Sequence, residues 1–283
     1  MEAIKSVLKG MVIGIANIIP GVSGGTMMVA MGIYDKLIHC ITHLFKEFKK
    51  SFLFLIPIAI GMGIAVVGGS LGLEVLFEKF PVQTNLLFIG LILGGLPAIW
   101  KKVKGNSIRG GHILAFLVFF ILVAGLALLG EREGNAADLS LSLISIIKLF
   151  AVGVIAAATM VIPGVSGSMM LLLMGYYNPI LTAISDFLHA LVEFDMNGIL
   201  TGIGILLPFG IGVIVGIFAI AKVVEYIFNK FPLYAYWAII GLIVASPIAI
   251  VAMGSFPALN VVNVLTGIVT FALGVFVAMK LGE

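Results

Sequence analysis

Six stretches without Asp, Glu, Lys or Arg, each about 20 residues long, run from Phe52 to Leu73, Val82 to Trp100, Gly110 to Gly130, Ile199 to Ala221, Leu233 to Pro257 and Leu259 to Met279. At ~1.5 Å per residue, such a stretch matches the ~30 Å hydrocarbon core of a bilayer. Inside lipid every backbone N–H and C=O needs an internal partner, so these stretches must be helices. The composition agrees, with 61% hydrophobic and 10% charged residues against the ~45–50% and ~25% of soluble chains. The reading is an all-α integral membrane protein. A net charge of +3 indicates no nucleic-acid partner. The single cysteine, Cys40, cannot form an intramolecular disulfide, and His39, His43, His112 and His189 are too scattered along the chain to suggest a metal cluster. No metal and no cofactor are expected. The first segment has no small-residue cleavage site of the signal-peptide kind.

Two further uncharged stretches, Gly10 to Tyr34 and Leu149 to Tyr177, are interrupted by Ile-Pro-Gly-Val-Ser-Gly, and they are copies of one another. With an offset of 143, Pro20-Gly21-Val22-Ser23-Gly24 aligns on Pro163-Gly164-Val165-Ser166-Gly167, and Tyr34 aligns on Tyr177. The match resumes with an offset of 151, pairing Pro57 with Pro208, Glu74 with Glu225, and Lys79-Phe80-Pro81 with Lys230-Phe231-Pro232. Paired Pro, Gly, Ser, Glu and Lys positions argue for a true internal repeat over chance matching of apolar residues. The halves are residues 1–138 and 139–283.

Lys and Arg in the connections choose the topology. If each motif stretch spans the membrane, the 16 basic residues divide evenly. If each stretch dips in and returns, one face collects 13 of them, leaving Lys79, Arg132 and Lys148 opposite. The bias favours an inverted-topology repeat with both termini cytoplasmic. Each half then has one re-entrant helical hairpin (10–34, 149–177) and three transmembrane helices (near 52–73, 82–100 and 110–130, then 199–221, 233–257 and 259–279). Arms of 10 and 11 residues around the first tip would each reach roughly 15 Å, about the midplane. A single kinked spanning helix is the alternative for each stretch.

At each tip, Pro20 or Pro163 removes a backbone donor, Gly21 or Gly164 permits a turn, and a new helix starts behind Ser23 or Ser166 at the N-cap position. The amides of Gly24, Gly25 and Thr26, and of Gly167 and Ser168, lack partners within the helix and lie at its positive end. Together with the Ser and Thr hydroxyls they suit an anion such as phosphate. Inverted-repeat transporters place substrate sites at such broken helices. The alternative is that the serines only cap their helices and the glycines only pack. Met27, Met28, Met31, Met169, Met170 and Met174 follow the tips as an adaptable apolar wall. Glu74 and Glu225, at matching repeat positions near span ends, are candidates for proton coupling if desolvated.

The string Gly-Ile-Ala-Asn-Ile-Ile-Pro-Gly-Val-Ser-Gly-Gly-Thr (14–26), its second copy at 159–168, and Phe-Pro followed by Gly-Leu-Ile (80–92) resemble the bacterial polyprenyl-phosphate transporter family, over essentially the whole chain. The resemblance implies a flippase that returns undecaprenyl phosphate from the outer to the inner leaflet of the bacterial cytoplasmic membrane for reuse in cell-envelope synthesis. Its partners would be that lipid and the surrounding membrane, with self-association left open. Carried onto this chain, the motif residues are Asn17, Pro20, Gly21, Ser23, Gly24, Gly25 and Thr26, with Pro163, Gly164, Ser166, Gly167 and Ser168. Met160 stands in the place of Asn17 and Met169 in that of Thr26, so the tips are not equivalent.

Two other functions compete. Pro-Gly-x-Ser also occurs in a membrane-embedded polyprenyl-pyrophosphate phosphatase, where an Arg-Ser pair follows and acidic residues assist. Here Gly24-Gly25 and Gly167-Ser168 stand in those places, and no base or Arg accompanies the serines, so the expectation is no enzyme. A transporter of a small soluble anion would need the same polar tips without a path for a lipid tail.

Overall fold

A computed structural model describes residues 2–18, 23–129, 134–253, 256 and 260–282. Among the described residues the chain forms helices and no strand. In order these are α1 (Glu2–Ile18), α2 (Gly24–Ala30), α3 (Tyr34–Thr42), α4 (Phe48–Lys79), α5 (Pro81–Gly94), α6 (Leu96–Val103) and α7 (Gly110–Leu129), then α8 (Leu143–Val161), α9 (Gly167–Leu173), α10 (Tyr177–Glu193), α11 (Met196–Lys230), α12 (Pro232–Met253) and α13 (Val261–Gly282). The second series repeats the first, with α12 matching α5 and α6 together. Pro81 and Pro232 stand at the first position of α5 and α12, where a missing N–H costs nothing.

Each of the six uncharged runs overlaps a helix over most of its length, and seven described helical stretches are long and apolar enough to cross a membrane. This is a multi-pass membrane protein. Two details differ from the expected lengths. The run at 82–100 is broken at Gly95, with Pro97 just inside α6. Around the motifs, the arms are unequal. The 17 residues of α1 and 19 of α8 extend about 26 and 28 Å, because the helices continue through polar residues ahead of the uncharged stretch. Beyond each motif, α2 and α9 have only 7 residues. Gly32 and Gly175, at φ 67° and 76°, end them in the left-handed conformation common just past a helix C-terminus. From α9 to α10 the axis bends by 105°.

Contacts divide the chain into two units: Met1–Gly130, Ile162–Ser166 and Ala221–Glu283 in one, and Glu131–Val161 and Gly167–Ile220 in the other. In the first, Gly10 faces the Ile58 backbone, Gly61 faces Val7, and a Cβ on Gly14 would lie 2.8 Å from both Met62 Cα and Ala65 Cβ. From Gly10 against Ile58 to Gly14 against Met62 and Ala65 the residue numbers rise together, so α1 and α4 run parallel. In the second unit, Gly153 faces Phe209, Gly212 faces Phe150 and Gly216 faces Val154, which makes α8 and α11 parallel too. Gly10 and Gly153 are repeat mates, as are Gly61 and Gly212. Small residues permit this backbone approach, and without a hydrophobic force between helices in lipid such packing holds the fold together.

The first unit contains a second pair of parallel contacts. Gly90 meets Phe271 and Gly94 meets Val275 and Ala278 between α5 and α13, while Gly241 meets Phe116 and Gly111 meets Tyr234 between α12 and α7. Gly90 and Gly241 are again repeat mates. Each pair therefore joins a helix from one half to a helix from the other, and exchanging the halves converts one pair into the other. Most of the apolar length of α5 with α6 and of α12 is buried within the protein, and little of that of α4, α7, α11 and α13. The second group offers its side chains to lipid.

Candidate functional site

In the first unit, α1 leads toward the motif and α2 starts just beyond it, at Gly24. Pro20 and Gly21 lie outside the described residues. Ser23 occupies the N-cap of α2 as expected, with extended backbone at φ −95° and ψ 127°, but its hydroxyl makes no capping bond. Ser23 is 5% exposed, and its Oγ is a fully buried side-chain oxygen without a hydrogen-bond partner among the described residues. A buried hydroxyl left unpaired costs about 1–3 kcal/mol. Such a group needs an explanation, and a bound oxyanion would supply one.

The neighbours of Ser23 are polar in a particular order. A Cβ on Gly24 would collide with the side-chain amide of Asn17, so the Asn17 carboxamide rests on the first residue of α2. Gly24, Gly25 and Thr26 are buried, Thr26 completely. Lys9 on α1 donates from Nζ to the Met31 carbonyl at 2.9 Å, bringing a cation to the C-terminal end of α2. Gly95, at the break between α5 and α6, packs on the Ala30 backbone. Both ends of α2 are thus fixed.

The second tip meets the first within this unit. The Gly164 N–H donates to Thr26 Oγ1 at 2.7 Å. Gly164 has φ 81°, and a Cβ there would also press on Val123 and Leu242, at 2.8 and 3.1 Å; conformation and space both call for glycine. Pro163 is buried and Ser166 partly so. Gly167 and Ser168 belong to the other unit, where Gly167 packs on Met160 and the Ala156 carbonyl. Met160 thus takes toward Gly167 the place that Asn17 takes toward Gly24, and the expected inequality is chemical: a carboxamide on one side, a thioether on the other. Ser168 is exposed.

The remaining candidates lie elsewhere. Glu74 falls in α4, its side chain outside the described residues. Glu225 does not stand alone at a helix end, since its Oε1 lies 3.1 Å from His39 Nδ1 and 3.3 Å from His43 Nδ1. Histidines distant along the chain from their partner are therefore adjacent in space, with His39 on α3 and His43 at its C-cap. In the second unit a cavity of about 680 Å³ is lined in part by Asp138, Asp186, Asn178, Thr182 and Thr201; two carboxylates give it the wrong sign for phosphate. Sequence reasoning passed over Thr84, Asn85 and Ser246, all buried at 3–4% exposure. Their signal was a polar residue inside an uncharged run. Thr84 and Ser246 spend their hydroxyls on the carbonyls of Phe80 and Leu242, as helical Ser and Thr do.

Because the Ser23 hydroxyl caps nothing, Ser23→Ala should leave the unfolding midpoint in detergent unchanged or slightly raised. Thr26→Val should lower it, since the partly buried Gly164 N–H loses its acceptor, a loss of about 1 kcal/mol. Thermal unfolding followed by circular dichroism measures both.

Comparisons place these features in a lineage. Residues 13–254 match the undecaprenyl phosphate translocase-like family. A polyprenyl-phosphate transporter of Staphylococcus aureus (strain NCTC 8325 / PS 47) is 34% identical over 283 residues, covering 98% of this chain and 95% of that protein. A second polyprenyl-phosphate transporter, from Vibrio cholerae serotype O1 (strain ATCC 39315 / El Tor Inaba N16961), is 26% identical over 245 residues, covering 82% of this chain and 72% of that one. No solved structure matches the chain. By the extent of the match and the identity to its relatives, the chain belongs to the undecaprenyl phosphate translocase-like family.

Proposed function

We propose that this protein carries undecaprenyl phosphate across the cytoplasmic membrane, from the outer to the inner leaflet, binding the phosphate at the motif tips while the isoprenoid tail stays in lipid. The observation that carries the reading is the Ser23 hydroxyl, buried and without a partner among the described residues, together with the Thr26–Gly164 joint between the two motif copies. A phosphate monoester brings several acceptor oxygens. Ser23 Oγ–H, the Asn17 amide and the backbone N–H groups at the start of α2 are donors of the matching kind. None of them is a fixed charge, so the site is tolerable in the membrane when empty. With only two turns, α2 contributes little macrodipole; hydroxyl and amide donors carry the affinity. Ser23 Oγ has no base bonded to it among the described residues, which supports binding over nucleophilic attack, and both relatives bear transporter names.

The same proposal takes the two motif stretches as re-entrant and the halves as inverted. Two registers support this. Since α1 and α4 are parallel, the chain between Ile18 and Phe48 must return to the side from which α1 set out, and the parallel α8 and α11 ask the same of the second motif. Since α12 is parallel to α7, and α7 recrosses the membrane after α5 and α6 through the short link 104–109, α12 points opposite to its repeat mate α5. With the basic residues concentrated on one face, both termini are cytoplasmic.

Two measurements test these readings. In vesicles, Ser23→Ala should slow translocation of a polyprenyl phosphate by roughly tenfold or more, the loss of one hydrogen bond to a charged group being about 1.5–3 kcal/mol. Wild-type rates in a correctly folded variant would remove Ser23 from the site. For topology, single cysteines at Lys5 and Lys46 should label from the cytoplasm, and at Asp138 and Asp195 from outside; labelling of Lys5 and Lys46 from opposite faces would sink the re-entrant arrangement. The native Cys40 is buried, and burial raises its thiol above the ordinary range, so background labelling is slow.

A further inference from the structure

We propose that His39, His43 and Glu225 form a binding site for a divalent transition-metal ion of the zinc class, a site separate from the motif tips and independent of the transport reading. His39 and His43 are four residues apart on and at the end of α3, so their rings lie on one face, stacked with centroids 4.2 Å apart and planes inclined by 27°. Glu225 reaches them from α11. Its Oε1 is 3.1 Å from His39 Nδ1 and 3.3 Å from His43 Nδ1, and the three potential ligand atoms all lie within 4.8 Å of one another.

Those separations suit a tetrahedral ion. Zinc holds imidazole nitrogen and carboxylate oxygen at ~2.0–2.2 Å, so ligands at neighbouring corners stand about 3.3–3.5 Å apart. The two nitrogen–oxygen edges are within a few tenths of an ångström of that value. Two imidazoles and one carboxylate are also the donor set that zinc and its neighbours prefer over magnesium or calcium, which favour all-oxygen shells. The fourth position is open: side-chain exposures of 50% for His39, 31% for His43 and 19% for Glu225 leave the cluster reachable from solvent while Glu225 is largely enclosed. At His43 the metal would displace the Nδ1 contacts with Thr42 Oγ1, at 3.0 Å, and the His39 carbonyl, at 3.3 Å.

The surroundings favour a cation. Asp35, one turn before His39, lines with His39, Glu225, Asn229 and Tyr236 a cavity of about 230 Å³. The Tyr236 hydroxyl donates to Asp35 Oδ2 at 3.1 Å, holding a second carboxylate in the same cavity as Glu225. An ion here would tie α3, which follows the first motif hairpin, to the end of α11. It would act as a clamp between those elements.

Cobalt(II) titrated into the purified full-length protein in detergent tests the proposal. One equivalent should bind saturably, give visible d–d absorption and be displaced by zinc but not by magnesium. His39→Gln, His43→Gln and Glu225→Gln should each weaken binding by at least about tenfold, while His189→Gln, at an exposed position of α10, should leave it unchanged. X-ray absorption on the zinc-loaded wild type gives a readout that does not depend on variants folding, with two imidazoles expected in the first shell. Absence of saturable cobalt binding, binding indifferent to the three substitutions, or a zinc shell of oxygen alone would overturn the site and leave a histidine–carboxylate hydrogen-bond cluster.

Discussion

Backbone polar groups surrounded by lipid must be bonded within the protein, and the architecture follows from how that demand is met and where it is relaxed. Long uncharged runs satisfy it as continuous helices. The second Pro-Gly-Val-Ser-Gly motif does not: α8 ends at Val161 and α9 begins at Gly167, with Gly164 at φ 81° between them. At the first motif the structure answers with local polarity: Gly164 N–H on Thr26 Oγ1, Lys9 on the Met31 carbonyl, and the Asn17 carboxamide against Gly24. Among the described residues one buried side-chain group, the Ser23 hydroxyl, is left over. On the proposed function, a membrane site built from such donors needs no permanent charge, which fits a headgroup that must be released as well as bound.

Helix packing around the motifs depends on the same small residues in both halves. Gly10 and Gly61 bring α1 against α4, and Gly153 and Gly212 do so for α8 and α11; Gly90 and Gly241 serve the α5–α13 and α7–α12 contacts. Glycines in these positions are spacing devices, and their high frequency in the chain follows from the number of close crossings. Parallel register in every one of these pairs is what the inverted reading uses, since a simple up-and-down bundle would place successive helices antiparallel.

Much of this was legible in the sequence. Uncharged length located the spans, because lipid allows few other solutions, although α4 and α11 run on past their uncharged runs to Lys79 and Lys230. The motif foretold the position of Ser23 at an N-cap, and the repeat foretold that Met160 would stand to the second tip as Asn17 stands to the first. The lengths of the helices flanking the motifs were not legible, since charge-free length says where lipid can lie and not where a helix stops: α1 and α8 run on through polar residues, and Gly32 and Gly175 end α2 and α9 early. That Ser23 occupies a cap position without capping depends on side-chain rotation, which no pattern encodes. The meeting of His39, His43 and Glu225 joins residues 186 apart in the chain, and spacing arguments see only neighbours.

Whether the phosphate sits at the first motif can be read directly by solid-state NMR. With 15N placed in the backbone of Gly24, Gly25 and Thr26 and a polyprenyl phosphate supplying 31P, dipolar recoupling in bilayers should show phosphorus within about 4 Å of at least one labelled amide, the distance that an N–H···O–P hydrogen bond imposes. Ser23→Ala should reduce that coupling. Phosphorus that binds the protein saturably yet shows no coupling to these amides would contradict the account and move the headgroup site away from the motif.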